Sequence, residues 1–197
     1  MKALPLKLSY SDDVYPPSED THLLLEVIEV QAGQKVLEMG TGSGYIAIHC
    51  ALKGAKVFAC DISKKSIELA EKNAMANGAE IQFVHSDLFK KIEGKFDVIV
   101  FNPPYLPTEK EDIVEGELNY ALDGGTDGNR VINRFLREAA NYLEENGVIF
   151  MLFSSHNAMA MENAKKMYEC VVLKTTRFFF EELFAVKLTK NKRGWEI

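Results

Sequence analysis

The chain predicts an α/β fold, a seven-stranded, mostly parallel, doubly wound sheet with a C-terminal antiparallel hairpin, and three observations carry that prediction. Short apolar runs rich in β-branched and aromatic residues alternate with stretches of helical periodicity through most of the chain, the pattern of a parallel sheet covered by helices on both faces. A glycine turn, Gly40-Thr41-Gly42-Ser43-Gly44, joins the first such run to a helical stretch. The last two strand-like runs are only about ten residues apart, too close for a parallel crossover helix, so they should pair antiparallel.

The elements follow in order. Ser18-Glu19-Asp20-Thr21 precedes apolar residues at Leu23, Leu24, Val27 and Ile28, one face of a helix that Ser18 or Asp20 could cap. Lys35-Val36-Leu37-Glu38 reads as a short buried strand, and Tyr45 to Lys53 as the helix after the glycine turn. Lys56 to Asp61 is a second strand ending in an acid. The next helix starts at Ser63, carries Ile67, Leu69, Ala70, Ala74 and Met75, and stops at Asn77-Gly78, a C-terminal signal. Ile81 to Val84 is the third strand, ending near Asp87, and Val98 to Phe101 the fourth. Val131 to Leu143 has helical spacing; Asn146-Gly147 then reads as a turn before a fifth strand, Val148 to Phe153. The closing pair is Cys170 to Leu173 and Leu183 to Leu188. Leu106 to about Gly128 is a long connection rich in Glu, Asp and Gly, a length that usually signals function or motion.

The length of 197 residues, with 47% hydrophobic and 26% charged composition, fits one ordinary domain spanning 1–197. A formal charge of −6 opposes a whole-protein grip on nucleic-acid phosphates, which needs a basic face. Cys50, Cys60 and Cys170 are too few and scattered for a disulfide framework or a Cys-rich zinc site and read as small core hydrophobes in a reducing cytosol. No apolar stretch approaches the roughly 18 residues of a membrane span, and no charged-then-apolar leader opens the chain, so a cytoplasmic location is expected.

Chemistry concentrates at the carboxyl ends of the strands, where open α/β sheets bind ligands. Gly40, Gly42 and Gly44 can bring backbone close to a cofactor while Glu38 offers a carboxylate; Asp61 is placed for ribose hydroxyls, and Asp87 for the exocyclic amine of an adenine. A nicotinamide dinucleotide fits the position of Asp61, yet the glycines are spaced G-x-G-x-G rather than G-x-G-x-x-G, and Glu38 would repel a pyrophosphate. S-adenosyl-L-methionine has no phosphates and carries cationic amino and sulfonium groups, which suits Glu38. After the fourth strand comes Asn102-Pro103-Pro104-Tyr105. Prolines without N–H groups and with fixed φ hold an extended row of carbonyl acceptors beside the Asn102 amide, a site for a substrate NH₂ group.

Together these motifs resemble the HemK-like class I methyltransferases, Rossmann-like enzymes that use S-adenosyl-L-methionine to methylate glutamine N5 in peptide chain release factors. Tyr15 to Leu25 resembles the P-x-E-D-T-x-L-L-L segment of the short archaeal and eukaryotic branch, and Leu122 to Ile132 resembles its G-G-x-x-G-R-x-V-M region, with Gly128-Asn129-Arg130 in place of Gly-Arg. The resemblance spans roughly Tyr15 to Phe153. It implies cofactor contacts for Thr21, Glu38, Gly40, Asp61, Asp87, Leu88 and Asn102, with Gly42 in the same loop, and a methyl-accepting group held by Asn102, the Pro103 carbonyl and the Tyr105 ring. It also implies a small zinc-binding activator subunit as heterodimer partner, docked on the third strand if that strand is an edge.

Two other functions compete. A nucleic-acid adenine N6-methyltransferase would present the same NH₂ donor to the Asn-Pro-Pro-Tyr motif, but the chain carries no separate recognition domain for a flipped base. A cofactor-binding scaffold without catalysis is opposed by the intact Glu38, Asp61, Asp87 and Asn102. The four histidines, His22, His49, His85 and His156, are dispersed and lack metal-ligand spacing. Ser154-Ser155-His156 is assigned to the loop after strand five, Phe178-Phe179-Phe180 to packing on the hairpin, and the basic run from Lys190 to Arg193 to a solvated tail.

Overall fold

A computed structural model describes residues 1–108, 116–178 and 181–191. Seven strands form one sheet in the order β3-β2-β1-β4-β5-β7-β6: β1 Lys35–Met39, β2 Lys56–Asp61, β3 Ile81–His85, β4 Phe96–Phe101, β5 Leu143–Ser154, β6 Tyr168–Arg177 and β7 Glu182–Lys190. The first five run parallel, and β7 pairs antiparallel with both β5 and β6, as the short spacing of the last two runs predicts. The order reverses between β1 and β4, which opens a crevice above their carboxyl ends.

Alternation along the strands builds two cores. Leu37, Met39, Ile99, Phe101, Ile149, Met151 and Phe153 point to one face and pack against Ile132, Phe135, Leu136 and Ala139 of α5 (Arg130–Ala139) and Ala160 and Ala164 of α6 (Ala158–Met167). Val36, Val98, Val100, Phe150 and Leu152 point to the other and pack against α1 (Glu19–Val27) and α2 (Tyr45–Leu52). Because side chains alternate with period two, β1, β4 and the second half of β5 must be apolar on both sides; β1 and β4 are buried almost throughout, and β5 is buried from Ile149 to Ser154. The central strands therefore form a stiff platform, and their carboxyl ends are fixed in position.

Helix α3 (Lys64–Ala76) begins at Ser63, whose hydroxyl accepts from the Ser66 N–H at 3.0 Å. It ends at Asn77-Gly78, where Gly78 takes φ +63°. Helix α1 is entered through Ser18. Four features depart from the sequence reading. The helix from residue 131 stops at Ala139 and passes through one 3₁₀ turn, Ala140–Tyr142, straight into β5 at Leu143. Asn146-Gly147 is no turn before that strand but lies inside it: Phe96 pairs with Leu143 and Val98 with Val148, so β5 holds extra residues opposite β4. Helix α6, unread in the sequence, separates β5 from the hairpin, and a short helix, α4 (Asn119–Leu122), sits in the long connection. Phe179, Phe180, Lys192 and Arg193 lie outside the described residues. Strand β3 is an edge, as expected, with Ile81, Phe83 and Val84 half-buried. Among the described residues no helix is long and apolar enough to cross a membrane.

Candidate active site

Above the β1/β4 crevice lies a cavity of about 380 Å³. Its walls include Thr21, Glu38, Gly40, Gly42, Asp61, Asp87, Leu88, Asn102, Pro103 and Tyr105, so the fold gathers these residues, while Gly44 lies outside the lining. Met39 of β1 pairs with Phe101 of β4. The residues that follow, Gly40 and Asn102, consequently leave adjacent strands side by side, and a Cβ on Gly40 would stand 3.9 Å from the Asn102 carbonyl oxygen.

One side of the cavity is acidic and locally built. Gly40, Gly42 and Gly44 have φ values of +65°, +53° and +81°, a turn open to glycine and strained for other residues. That turn brings the Thr41 hydroxyl onto Glu38 Oε2, which also accepts the Ala47 N–H at 3.0 Å. Glu38 is 5% exposed, and burial pushes its carboxyl up to about 8 despite these bonds. Asp61 accepts the Gly42 N–H at 2.9 Å and the Ser63 N–H at 2.9 Å; burial raises it as well, against the pull of those N–H groups. Two buried acids with raised proton affinity and, among the described residues, no cation in hydrogen-bond contact suit a ligand that brings its own positive charge and hydroxyl donors. A cofactor with an amino group, a sulfonium and a ribose fits that donor set; a pyrophosphate does not.

Asp87 stands apart. Arg134 Nη2 bonds both its carboxylate oxygens at 3.1 Å, and Lys90 Nζ lies at 2.8 Å. Against the upward push of desolvation, the two cations hold this carboxyl below its ordinary value. Leu88 beside it has φ +48°, a left-handed conformation costly for a non-glycine residue. Ser86 helps to hold that turn, its hydroxyl donating to the Leu88 carbonyl at 2.8 Å.

A second part of the lining is the Asn102 to Tyr105 segment. Asn102 Nδ2 donates to Asp20 Oδ2 at 3.0 Å, and the Tyr105 hydroxyl donates to the same oxygen at 3.2 Å. Asn102 Oδ1, by contrast, is buried without a hydrogen-bond partner. A buried acceptor left unpaired costs about 1–3 kcal/mol, which a bound donor would recover. Burial, aided by the Asp20 charge, keeps the Tyr105 phenol far above its ordinary proton affinity and therefore neutral. The loop is gripped from behind by Asn157, whose Nδ2 donates to the carbonyls of Tyr105 at 2.8 Å and Gly128 at 3.0 Å. Gly128, with φ +68°, packs so closely that an added Cβ would stand 2.4 Å from the Tyr105 oxygen.

Thr21 lines the cavity with its hydroxyl given to Asp20 Oδ1 at 3.1 Å. In the sequence Asp20 reads only as a possible cap and Asn157 carries no signal, since the contacts of both cross long stretches of chain. Arg130 pairs with Asp123 at 2.8 Å, and both line the cavity. Cys50 and Cys60 are buried, and burial raises both thiols. Ser154 ends β5, its hydroxyl donating to Glu181 at 2.9 Å rather than to a histidine. His49 and His85 bond backbone groups, the carbonyls of Tyr45 and Ile62.

Comparison with known proteins adds three relatives to a family match. Residues 17–180 match the model described as methyltransferase small domain. The Methanocaldococcus jannaschii protein named protein N5-glutamine methyltransferase MJ0928 is 46% identical over 151 residues, 76% of this chain and 77% of its own length. A release factor glutamine methyltransferase of Bacillus cereus is 40% identical over 156 residues, 71% of this chain but only 55% of that protein, so the chain spans about half of this longer relative. Among solved structures, the E. cuniculi Mtq2-Trm112 complex, described as responsible for methylation of the eRF1 translation termination factor, superposes with a TM-score of 0.69 at 25% identity, covering 91% of this chain and 99% of its counterpart.

Proposed function

The chain belongs to the methyltransferase small domain family, and from that premise we propose that it uses S-adenosyl-L-methionine to methylate the side-chain amide nitrogen of a glutamine in a peptide chain release factor. One observation carries the reading at the level of atoms: Asn102, which lines the same cavity as Glu38 and Asp61, holds a buried amide oxygen, Oδ1, without a hydrogen-bond partner.

S-adenosyl-L-methionine, when bound, supplies an activated methyl group and its own leaving group, so the protein must bind, orient and exclude water. Glu38 offers its carboxylate to the cationic end, Asp61 to the ribose hydroxyls, and Gly40 and Gly42 let the backbone approach. Asp87 and Leu88 flank the adenine. Across the cavity, a glutamine amide is a poor nucleophile because its lone pair is delocalised into its carbonyl. Asn102 Oδ1 and the Pro103 carbonyl accept the two hydrogens of that NH₂, which raises electron density on its nitrogen and fixes its direction. Tyr105 covers the amide and keeps water out. A single domain, residues 1–197, carries the whole site; likeness to the Mtq2-Trm112 complex supports a small partner subunit, for which the β3 edge is the docking strand in this reading. Work on a translation factor would place the protein in the cytoplasm.

The same notch could take an adenine amine, but the Methanocaldococcus jannaschii and Bacillus cereus relatives carry the glutamine name. The test offers methyl-labelled S-adenosyl-L-methionine with a release factor, its glutamine-to-alanine version, and DNA. Label on the first alone is the expected result; label on the alanine version or on DNA overturns the reading.

A further inference from the structure

The geometry points to Asp20 as a positioning residue that fixes which end of the Asn102 amide meets the substrate. An asparagine side chain presents an oxygen or an NH₂ group with nearly the same shape, and its hydrogen-bond partners choose between them. A notch for a substrate NH₂ works only with the oxygen presented. A carboxylate accepts hydrogen bonds and donates none. With Asp20 Oδ2 at 3.0 Å from its nitrogen, Asn102 has one sense open to it, Nδ2 toward Asp20 and Oδ1 away, and Oδ1 is the buried atom left without a partner.

Asp20 is itself held rigid. It is 5% exposed and sits in the first turn of α1, where the helix end favours an acidic side chain. Its Oδ1 accepts the Thr21 N–H at 2.6 Å and the Thr21 hydroxyl at 3.1 Å, which leaves Oδ2 for the acceptor segment. There the Tyr105 hydroxyl makes its bond at 3.2 Å, so one oxygen atom sets both the amide and the aromatic ring. Asn102 and Tyr105 lie 82 and 85 residues away in sequence, which makes α1 a brace for the end of β4.

This rests on the function proposed above, and the test separates the two. In Asp20→Asn the new amide can keep its oxygen on Thr21 and turn its NH₂ toward Asn102, which reverses the Asn102 amide and presents a donor to the substrate. We expect kcat for release-factor methylation to fall about 100-fold while the dissociation constant for S-adenosyl-L-methionine, measured by calorimetry, stays within about threefold. Adding Asn102→Asp to Asp20→Asn restores an acceptor facing the cavity, and this swap should recover about tenfold over Asp20→Asn alone. The side-chain ¹⁵N–H₂ signals of Asn102 give a readout independent of activity, and they should shift in Asp20→Asn. Unmoved signals with unchanged kcat overturn the inference. So does loss of cofactor binding in step with kcat, which marks Asp20 as merely structural. A wild-type enzyme that leaves release factor unlabelled, with the Asn102 signals still shifted by Asp20→Asn, sinks the substrate reading and leaves Asp20 in its role.

Discussion

The two walls of the cavity are built in opposite ways. On the cofactor side Glu38 and Asp61 are satisfied mostly by near neighbours in the chain, Glu38 by Thr41 and Ala47, three and nine residues on, and Asp61 by Ser63, two residues on, and Gly42, 19 residues back, whereas Asp87 takes Arg134 from 47 residues on. On the acceptor side Asn102 and Tyr105 are held by Asp20 and Asn157, 52 to 85 residues distant. A loop and strand end can carry the first wall as one local unit. The second exists only when α1, β4, the Gly124 to Gly128 turn and the start of α6 have all docked. The difference predicts that the walls fail separately, the near one through binding and the far one through turnover.

The sharpest break should come from Asn102→Ala. Removing a group whose oxygen meets the substrate amide is expected to lower kcat about 10²- to 10³-fold with little change in cofactor affinity, as steady-state kinetics and calorimetry would show. Gly128→Ala should come next. Its Cβ would stand 2.4 Å from the Tyr105 oxygen at a φ of +68°, so the loop must move, and displacement of about 1 Å can cost 10²-fold in rate. Cofactor binding should persist, because the glycines of the near wall are untouched.

Glu38→Gln attacks the near wall and should weaken S-adenosyl-L-methionine binding about tenfold or more through the lost charge. It also has a signature in the protein without ligand. Folding raises the Glu38 carboxyl from 4.5 to about 8, so the folded chain holds its proton more tightly than the unfolded chain. Stability from that proton is fully present below about pH 4.5 and is lost as pH rises through about 8. A glutamine has no proton to lose. Thermal melts of the variant and the parent should therefore coincide below about pH 4, and the variant should melt several degrees higher at pH 9, at about 2–4 °C per kcal/mol for a domain of this size. The smallest effect belongs to Arg134→Leu. Lys90 still faces Asp87 at 2.8 Å, so cofactor affinity should drop only severalfold with kcat unchanged.

The same contrast explains what could be read from the sequence. The near wall was legible because strand, glycine turn and acid follow one another without interruption: Gly40 to Gly44 after β1, Asp61 closing β2, Asp87 beyond β3. Asn102 and Tyr105 were visible too, as prolines at a strand end restrict the backbone locally. Their supports were not, since Asp20 in a helix start reads as a cap and Asn157 as a loop residue until folding brings them within 3.2 Å of their partners. The fold shows the same limit. Strands β1 to β5 announced themselves by apolar runs, whereas α6 was hidden because its sequence, Ala158–Met167, buries only Ala160 and Ala164 and offers a weak stripe. The extra residues of β5 read as a turn because Asn-Gly favours one; they fall at the register shift between the β4 pairs at Leu143 and Val148, inside the strand.

The central claim is that Asn102 Oδ1 is the acceptor for the substrate amide, and a crystal structure with S-adenosylhomocysteine and a glutamine-bearing release-factor fragment tests it most directly. The account predicts the glutamine side-chain nitrogen within hydrogen-bond distance of Asn102 Oδ1, between Tyr105 and the sulfur. A glutamine bound elsewhere, or an Asn102 oxygen still unpaired with the fragment in place, would contradict it.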